Sequence, residues 1–174
     1  GNPTTSTERR TQLELEGSIF HSTSDTEVIA YIITKERIHS KSIEEAVEKA
    51  MDRIEGAYSL VVMSPAKLIA VRDPHGFRPL CYGQTDDGTY IVASESCALD
   101  SCGFSFLRDI QPGEAVLIED GKVVHSAICL RAPHSLCVFE YVYFARPASV
   151  LDGRAGSAGR VDMARGRARG STGG

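Results

Sequence analysis

The stretch that decides the fold is "AYSLVVMSPAKLIAV", residues 57–71. Two runs rich in branched and aromatic side chains, 57–63 and 67–71, flank Ser64-Pro65, and β-formers placed around turn chemistry read as a hairpin. A connection this short cannot carry a parallel crossover, so the two strands must run antiparallel. The pattern repeats downstream in "PLCYG" (79–83), "TYIVAS" (89–94), "FSFLRDI" (104–110), "AVLI" (115–118) and "KVVHSAI" (122–128). These runs are divided by Asp73-Pro74-His75-Gly76, Asp86-Asp87-Gly88, Pro112-Gly113 and Asp120-Gly121, which predicts a series of antiparallel hairpins.

Upstream the apolar period changes from that of strands to that of helices. Thr5 with Glu8 makes a capping box, Leu13 and Leu15 follow, and Gly17 is placed to end the helix in a left-handed conformation. After "SIF", Ser24 with Glu27 opens a second helix carrying Val28, Ile29, Ile32 and Ile33. Ser42 with Glu45 opens a third, in which Ile43, Ala46, Val47, Ala50, Met51 and Ile54 keep the helical period until Gly56.

Amphipathic helices followed by antiparallel strands predict an α+β layered domain. "SLVVM" and "YIVAS" look apolar on both faces, so those strands are expected to be covered on two sides. The helices supply one cover and a second sheet the other, giving a partial α/β/β/α sandwich. Seven strands are few for two sheets. Part of the fold is therefore expected to be missing, with open edges that invite association.

Composition sets the outer bounds. A chain of 174 residues with 42% hydrophobic and 24% charged side chains is an ordinary globular domain. No run approaches the roughly 18 apolar residues of a membrane span and no basic-then-apolar leader opens the chain, so a cytoplasmic protein without membrane contact is expected. Five cysteines, at 81, 97, 102, 129 and 137, form an odd set without C-x-x-C, which fits neither a disulfide framework nor a zinc knuckle. The net charge of −4 is unevenly spread: residues 153–174 hold five arginines and one acid, leaving residues 1–152 with 14 basic and 22 acidic side chains and a net of −8. Residues 1–152 thus form the partial domain and carry no basic footprint for nucleic acid. The Gly/Arg-rich tail, 153–174, is expected to be disordered, as low-complexity filler or an out-of-frame end rather than an RNA-binding arm.

Residues 21–33, "HSTSDTEVIAYII", place Asp25 in the first turn of the second helix. Backbone N–H groups and the helix dipole favour negative charge there, and an ionised carboxylate can hold an ammonium group. Spacing alone favours a helix cap that binds nothing.

Four stretches together resemble the glutaminase domain of the amidophosphoribosyltransferase family: "GSIFHSTSDTEVIA" (17–30), "RDPHGFRPLCYG" (72–83), "VASESCALD" (92–100) and "CVFEYVYFARPAS" (137–149). The initial "GN" falls where the family carries His-Asn-Gly-Asn, and the resemblance runs from about residue 1 to residue 153. It implies an N-terminal-nucleophile hydrolase: two sheets between helix layers, with a mature N-terminal cysteine attacking the side-chain amide of glutamine and its own α-amino group as base. Ammonia then passes to a phosphoribosyltransferase domain and displaces pyrophosphate from phosphoribosyl pyrophosphate, giving 5-phosphoribosylamine in the first step of de novo purine biosynthesis. On this resemblance Asp25 holds the α-amino group of glutamine, Gly1 belongs to the oxyanion loop whose backbone meets substrate, and Asn2 follows it there. The nucleophilic cysteine, the oxyanion asparagine and the substrate-gripping arginine would lie upstream of Gly1, and the transferase domain downstream. The chain is accordingly expected to be an internal fragment without glutaminase activity of its own. The family also implies a homo-oligomer, Mg2+ with phosphoribosyl pyrophosphate and, in some members, a [4Fe–4S] cluster for which Cys137 matches a ligand; the fragment itself should hold no cofactor. Ala148 departs from the family's usual Asp, and with the arginine-rich tail it marks a loss of family register near the end.

Other residue sets have plainer readings. Cys97, Cys102 and His125 are the most tempting replacement nucleophile and base, but "ESCALDSCG" reads as a short helix or turn against the sheet. Arg72, Asp73, His75 and Arg78 could bind an anion, yet Asp-Pro followed by Gly already specifies a tight reversal. Tyr141, Tyr143 and Arg146 read as a domain-contact segment. Two further functional classes compete: a non-catalytic α+β binding domain with the tail as a basic contact arm, and a truncated reading frame with no role.

Overall fold

The computed structural model describes residues 6–130 and the short pieces 150–151 and 154–155. In chain order it runs α1 (Ser6–Leu15), α2 (Asp25–Ile38), α3 (Ile43–Met51), β1 (Ser59–Met63), β2 (Lys67–Arg72), β3 (Cys81–Gln84), β4 (Tyr90–Ala93), α4 (Ser96–Ser101), β5 (Ser105–Asp109), β6 (Glu114–Glu119), β7 (Lys122–Ile128), β8 (Val150–Leu151) and β9 (Arg154–Ala155). Each predicted strand and the first two helices form within a residue or two of their expected limits, whereas the third helix stops at Met51, short of the expected Ile54, and every pairing is antiparallel.

The strands divide into a four-stranded sheet, order β1-β2-β6-β7, a three-stranded sheet, order β4-β3-β5, and the two-stranded β8-β9. Here the expectation of consecutive hairpins is corrected. Among β1–β7 only β1–β2, β3–β4 and β6–β7 are joined as neighbours; the chain changes sheets after β2 and again after β5, and α4 carries it from one side of β3 to the other. The β6–β7 turn has both Asp120 (φ 49) and Gly121 (φ 65) in the left-handed region, the geometry whose twist matches a tight hairpin.

Alternation along the central strands builds two cores. Ile69 and Val71 of β2 lie beside Leu117 and Ala115 of β6 and face the helices, where they join Val28, Ile29, Ile32, Ile33, Val47 and Met51. Ala70, Val116 and Ile118 point the other way and pack with Leu80, Tyr82 and Ile110 of the second sheet. On the outer face of that sheet, α4 buries Leu99 completely. A Cβ on Gly83 would stand 2.5 Å from Ser105 O and 3.1 Å from Leu99 Cδ1, so glycine is required for the close approach of strand and helix. The result is the expected α/β/β/α layering.

β1 corrects a second expectation. Val61 is 52% and Met63 80% exposed, so "SLVVM" is an edge strand with one open side, and the doubly covered positions fall to β2 and β6. Apolar residues on both faces of a run predict burial, but a strand with a single neighbour cannot be enclosed by its own sheet.

The loop after β2 ties the sheets together. Asp73 is fully buried, and its carboxylate accepts from the backbone N–H groups of His75, Phe77 and Arg78 at 3.0, 3.2 and 3.1 Å. Buried Arg72 donates to the carbonyls of Arg78, Gly76 and Ile110 at 2.8–2.9 Å. The cluster is therefore a turn that satisfies buried backbone groups, as the Asp-Pro-His-Gly sequence predicts. At the far end, Arg154–Ala155 pair with Val150–Leu151, so the arginine-rich segment begins in paired backbone. Ala148, Tyr141, Tyr143, Arg146 and the rest of the tail lie outside the described residues.

Candidate functional site: the start of helix α2

Asp25 is the first residue of α2 and is half-buried. Ser24 is the N-cap, in extended conformation (φ −74, ψ 133), with its hydroxyl accepting from Thr26 N at 3.2 Å. Glu27 does not complete the capping box expected of it. Its carboxylate instead accepts from His21 N (2.8 Å), Ser22 N (2.8 Å) and Ser22 Oγ (2.7 Å), and these hydrogen bonds hold it below the usual carboxylate range. The physical reason is competition: the loop before the cap offers two free N–H groups and a hydroxyl in place of one N–H.

The carboxylate of Asp25 makes no hydrogen bond or ion pair among the described residues. The chain thus presents, at the positive end of a 14-residue helix, a half-buried acid whose neighbours are occupied with each other. Gly1 and Asn2 lie outside the described residues, as does Cys137, so their proposed contacts with substrate or cluster are not part of this geometry. A cleft of about 410 Å³ elsewhere is lined by hairpin-tip residues including Met63, Lys67, Asp87, Tyr90 and Gly121, and Asp25 is not among them.

The alternative nucleophile set does not assemble. His125 on β7 pairs with Glu48 of α3 at 3.0 Å on the helix side of the first sheet, whereas Cys97 lies in α4, on the outer face of the second, and Cys102 is its C-cap. Burial pushes the Cys81 thiol up to about 12 and the Cys129 thiol up to about 11, the opposite of nucleophile activation. Among the described residues no group of three or more His, Cys, Asp or Glu side chains could hold a metal ion.

Sequence reasoning missed Glu27 as an organiser of the loop, and Arg10, which donates to Ser22 O at 2.7 Å and lies 4.3 Å over the Phe20 ring. The signal for Glu27 was the hydroxyl-rich run ahead of it, which offers more donors than a cap needs. Nothing in spacing marks Arg10, because its partner is twelve residues away.

Residues 4–101 match the family model described as "Glutamine amidotransferase domain". The chain belongs to the glutamine amidotransferase domain family. Its curated relatives include the amidophosphoribosyltransferase of Archaeoglobus fulgidus, 41% identical over 97% of this chain and 37% of the relative. The Bacillus subtilis amidophosphoribosyltransferase is 38% identical over 88% of this chain and 32% of the relative. The solved B. subtilis glutamine phosphoribosylpyrophosphate amidotransferase, in complex with ADP and GMP, superposes with a TM-score of 0.82 at 37% identity, covering 89% of this chain and 33% of that one. The chain thus spans about a third of the length of the proteins it matches, and the alignment with A. fulgidus extends into the arginine-rich segment.

Proposed function

We propose that this chain is the glutamine-handling part of an amidophosphoribosyltransferase, which hydrolyses glutamine and passes ammonia to phosphoribosyl pyrophosphate to form 5-phosphoribosylamine at the head of purine synthesis. The observation that carries the reading is Asp25: half-buried, first in its helix, without a partner among the described residues, and within a domain whose family is glutamine amidotransferase. A carboxylate so placed supplies the counter-charge for the α-amino group of glutamine, while the oxyanion loop containing Gly1 and Asn2 would meet the reacting amide. The nucleophile would come from residues outside this sequence, so the isolated chain is proposed to be inactive as a glutaminase.

The further parts of the reading rest on the family resemblance rather than on geometry. They are phosphoribosyl pyrophosphate with Mg2+ as the second substrate, a homo-oligomeric enzyme, a cytoplasmic location and Cys137 as one ligand of an iron–sulfur cluster in the longer protein. Among the described residues no helix is long and apolar enough to cross a membrane. The test is a chimera in which residues 1–152 replace the matching segment of the B. subtilis relative. It should support glutamine-dependent phosphoribosylamine synthesis, and Asp25→Asn should raise KM for glutamine about 100-fold while leaving ammonia-dependent synthesis unchanged. A chimera active with ammonia in which Asp25→Asn leaves KM for glutamine unaltered would refute the assignment.

A further inference from the structure

The loop that delivers the chain to Asp25 is held from three directions. Tyr31 Oη of α2 donates to Ile19 O at 2.6 Å, and the Tyr31 ring meets Phe20 edge-on with centroids 4.8 Å apart. Arg10 of α1 lies over the Phe20 ring and donates to Ser22 O. Glu27 takes up both N–H groups and the hydroxyl at 21–22, and that same Ser22 hydroxyl accepts from Ser24 N at 3.2 Å. A continuous set of bonds therefore runs from Glu27 through Ser22 to Ser24, the residue immediately before Asp25.

Two acids stand at this helix start, and their roles divide. Either could attract an ammonium group, but both oxygens of Glu27 are occupied by donors of the loop, whereas Asp25 has no partner among the described residues. We propose that Glu27 and Arg10 are positioning residues for an ammonium subsite at Asp25: they fix the loop so that one carboxylate faces the ligand's α-amino group, and Glu27 is withdrawn from competing for it. The inference rests on the reading of Asp25 given above. It assigns the selectivity of the subsite to two side chains that do not touch the ligand.

The assay uses the 174-residue chain, labelled with 15N and titrated with glutamine and with glutaramate, which lacks the α-amino group. Amide shifts of residues 19–28 report affinity, and those of α3 report the fold. The wild-type chain should prefer glutamine, and Asp25→Asn should abolish the preference. Glu27→Gln and Arg10→Met should each lower it about tenfold with affinity for glutaramate unchanged, since a rigid loop is needed only for the amine contact. Should Glu27→Gln fail to fold, Arg10→Met carries the same expectation. Retention of the wild-type preference in the positioning variants, or equal weakening of both ligands, overturns this proposal and leaves the Asp25 reading standing. A wild-type chain without preference, or Asp25→Asn retaining it, overturns both.

Discussion

Replacing Glu114 by Gln should destabilise the domain. Arg108 on β5 reaches from the second sheet to Glu114 on β6 of the first with two bonds of 2.8 Å, and lies 5.2 Å over the Tyr82 ring. Glu114 is 3% exposed and also accepts from Gln111 N at 2.6 Å and from Ser126 Oγ. An amide at this position keeps one acceptor and turns an NH2 group toward donors. Breaking a fully buried pair costs about 3–5 kcal/mol, and because the Arg108 side chain is 37% exposed and can turn to solvent, about 2–3 kcal/mol is expected here. Urea unfolding at pH 7 should show a lower midpoint at unchanged slope, and a double-mutant cycle with Arg108→Met should give a coupling of about 1.5–2 kcal/mol. The pH dependence has a definite sign. Burial raises the Glu114 carboxyl, but bonds from Arg108, Ser126 and Gln111 outweigh it and the net displacement is downward. A folded value below the unfolded one, near 4.3, means the stabilisation is complete above that range and disappears as pH falls through the folded value. The gap between wild type and Glu114→Gln should thus narrow on acidification. A loss under about 0.5 kcal/mol at pH 7, strict additivity in the cycle, or a gap that widens in acid would refute the reasoning.

Two other outcomes follow from burial. Met51→Ala, at a position 1% exposed beneath the helix layer, should destabilise by about 2–5 kcal/mol in the same urea assay, and a change below about 1 kcal/mol would mean that the cavity collapses. With an aromatic disulfide reagent at pH 8, exposed Cys102 should be modified first, whereas Cys81, its thiol pushed up to about 12 by burial and by neighbouring Asp109, should react only as fast as the domain opens. Peptide mass mapping distinguishes them; equal rates at the two positions would contradict the buried placement of Cys81.

The strands were legible because turn residues bound them: Ser64-Pro65, Asp86-Asp87-Gly88 and Asp120-Gly121 all lie where neighbouring strands reverse. Which sheet each strand joins was not legible. Asp73 to Leu80 looks like one more reversal, yet the bonds of Arg72 and Asp73 carry the chain from one sheet to the other, and a local signal does not say how far away its partners are. The burial of β1 was misread for the same reason, since apolar residues on both faces of a run do not say whether the strand has one neighbour or two.

The site divides along that line too. Asp25 could be singled out by its place in a helix start, a local property, while its availability depends on where Glu27 and Arg10 spend their bonds, a property of the folded loop. Ser24 and Glu27 satisfy the capping-box spacing, and the third helix uses the related Ser42–Glu45 pair with Ser42 Oγ accepting from Glu45 N at 3.3 Å and Glu45 accepting from Lys41 N at 2.8 Å. Only at α2 does the glutamate carry three bonds to a loop rather than one to a helix start. The same short motif therefore serves as a plain terminus in α3 and as a brace for the preceding loop in α2, and the difference lies in residues 21–22: a serine hydroxyl and two N–H groups that draw Glu27 outward and leave Asp25 without a partner among the described residues.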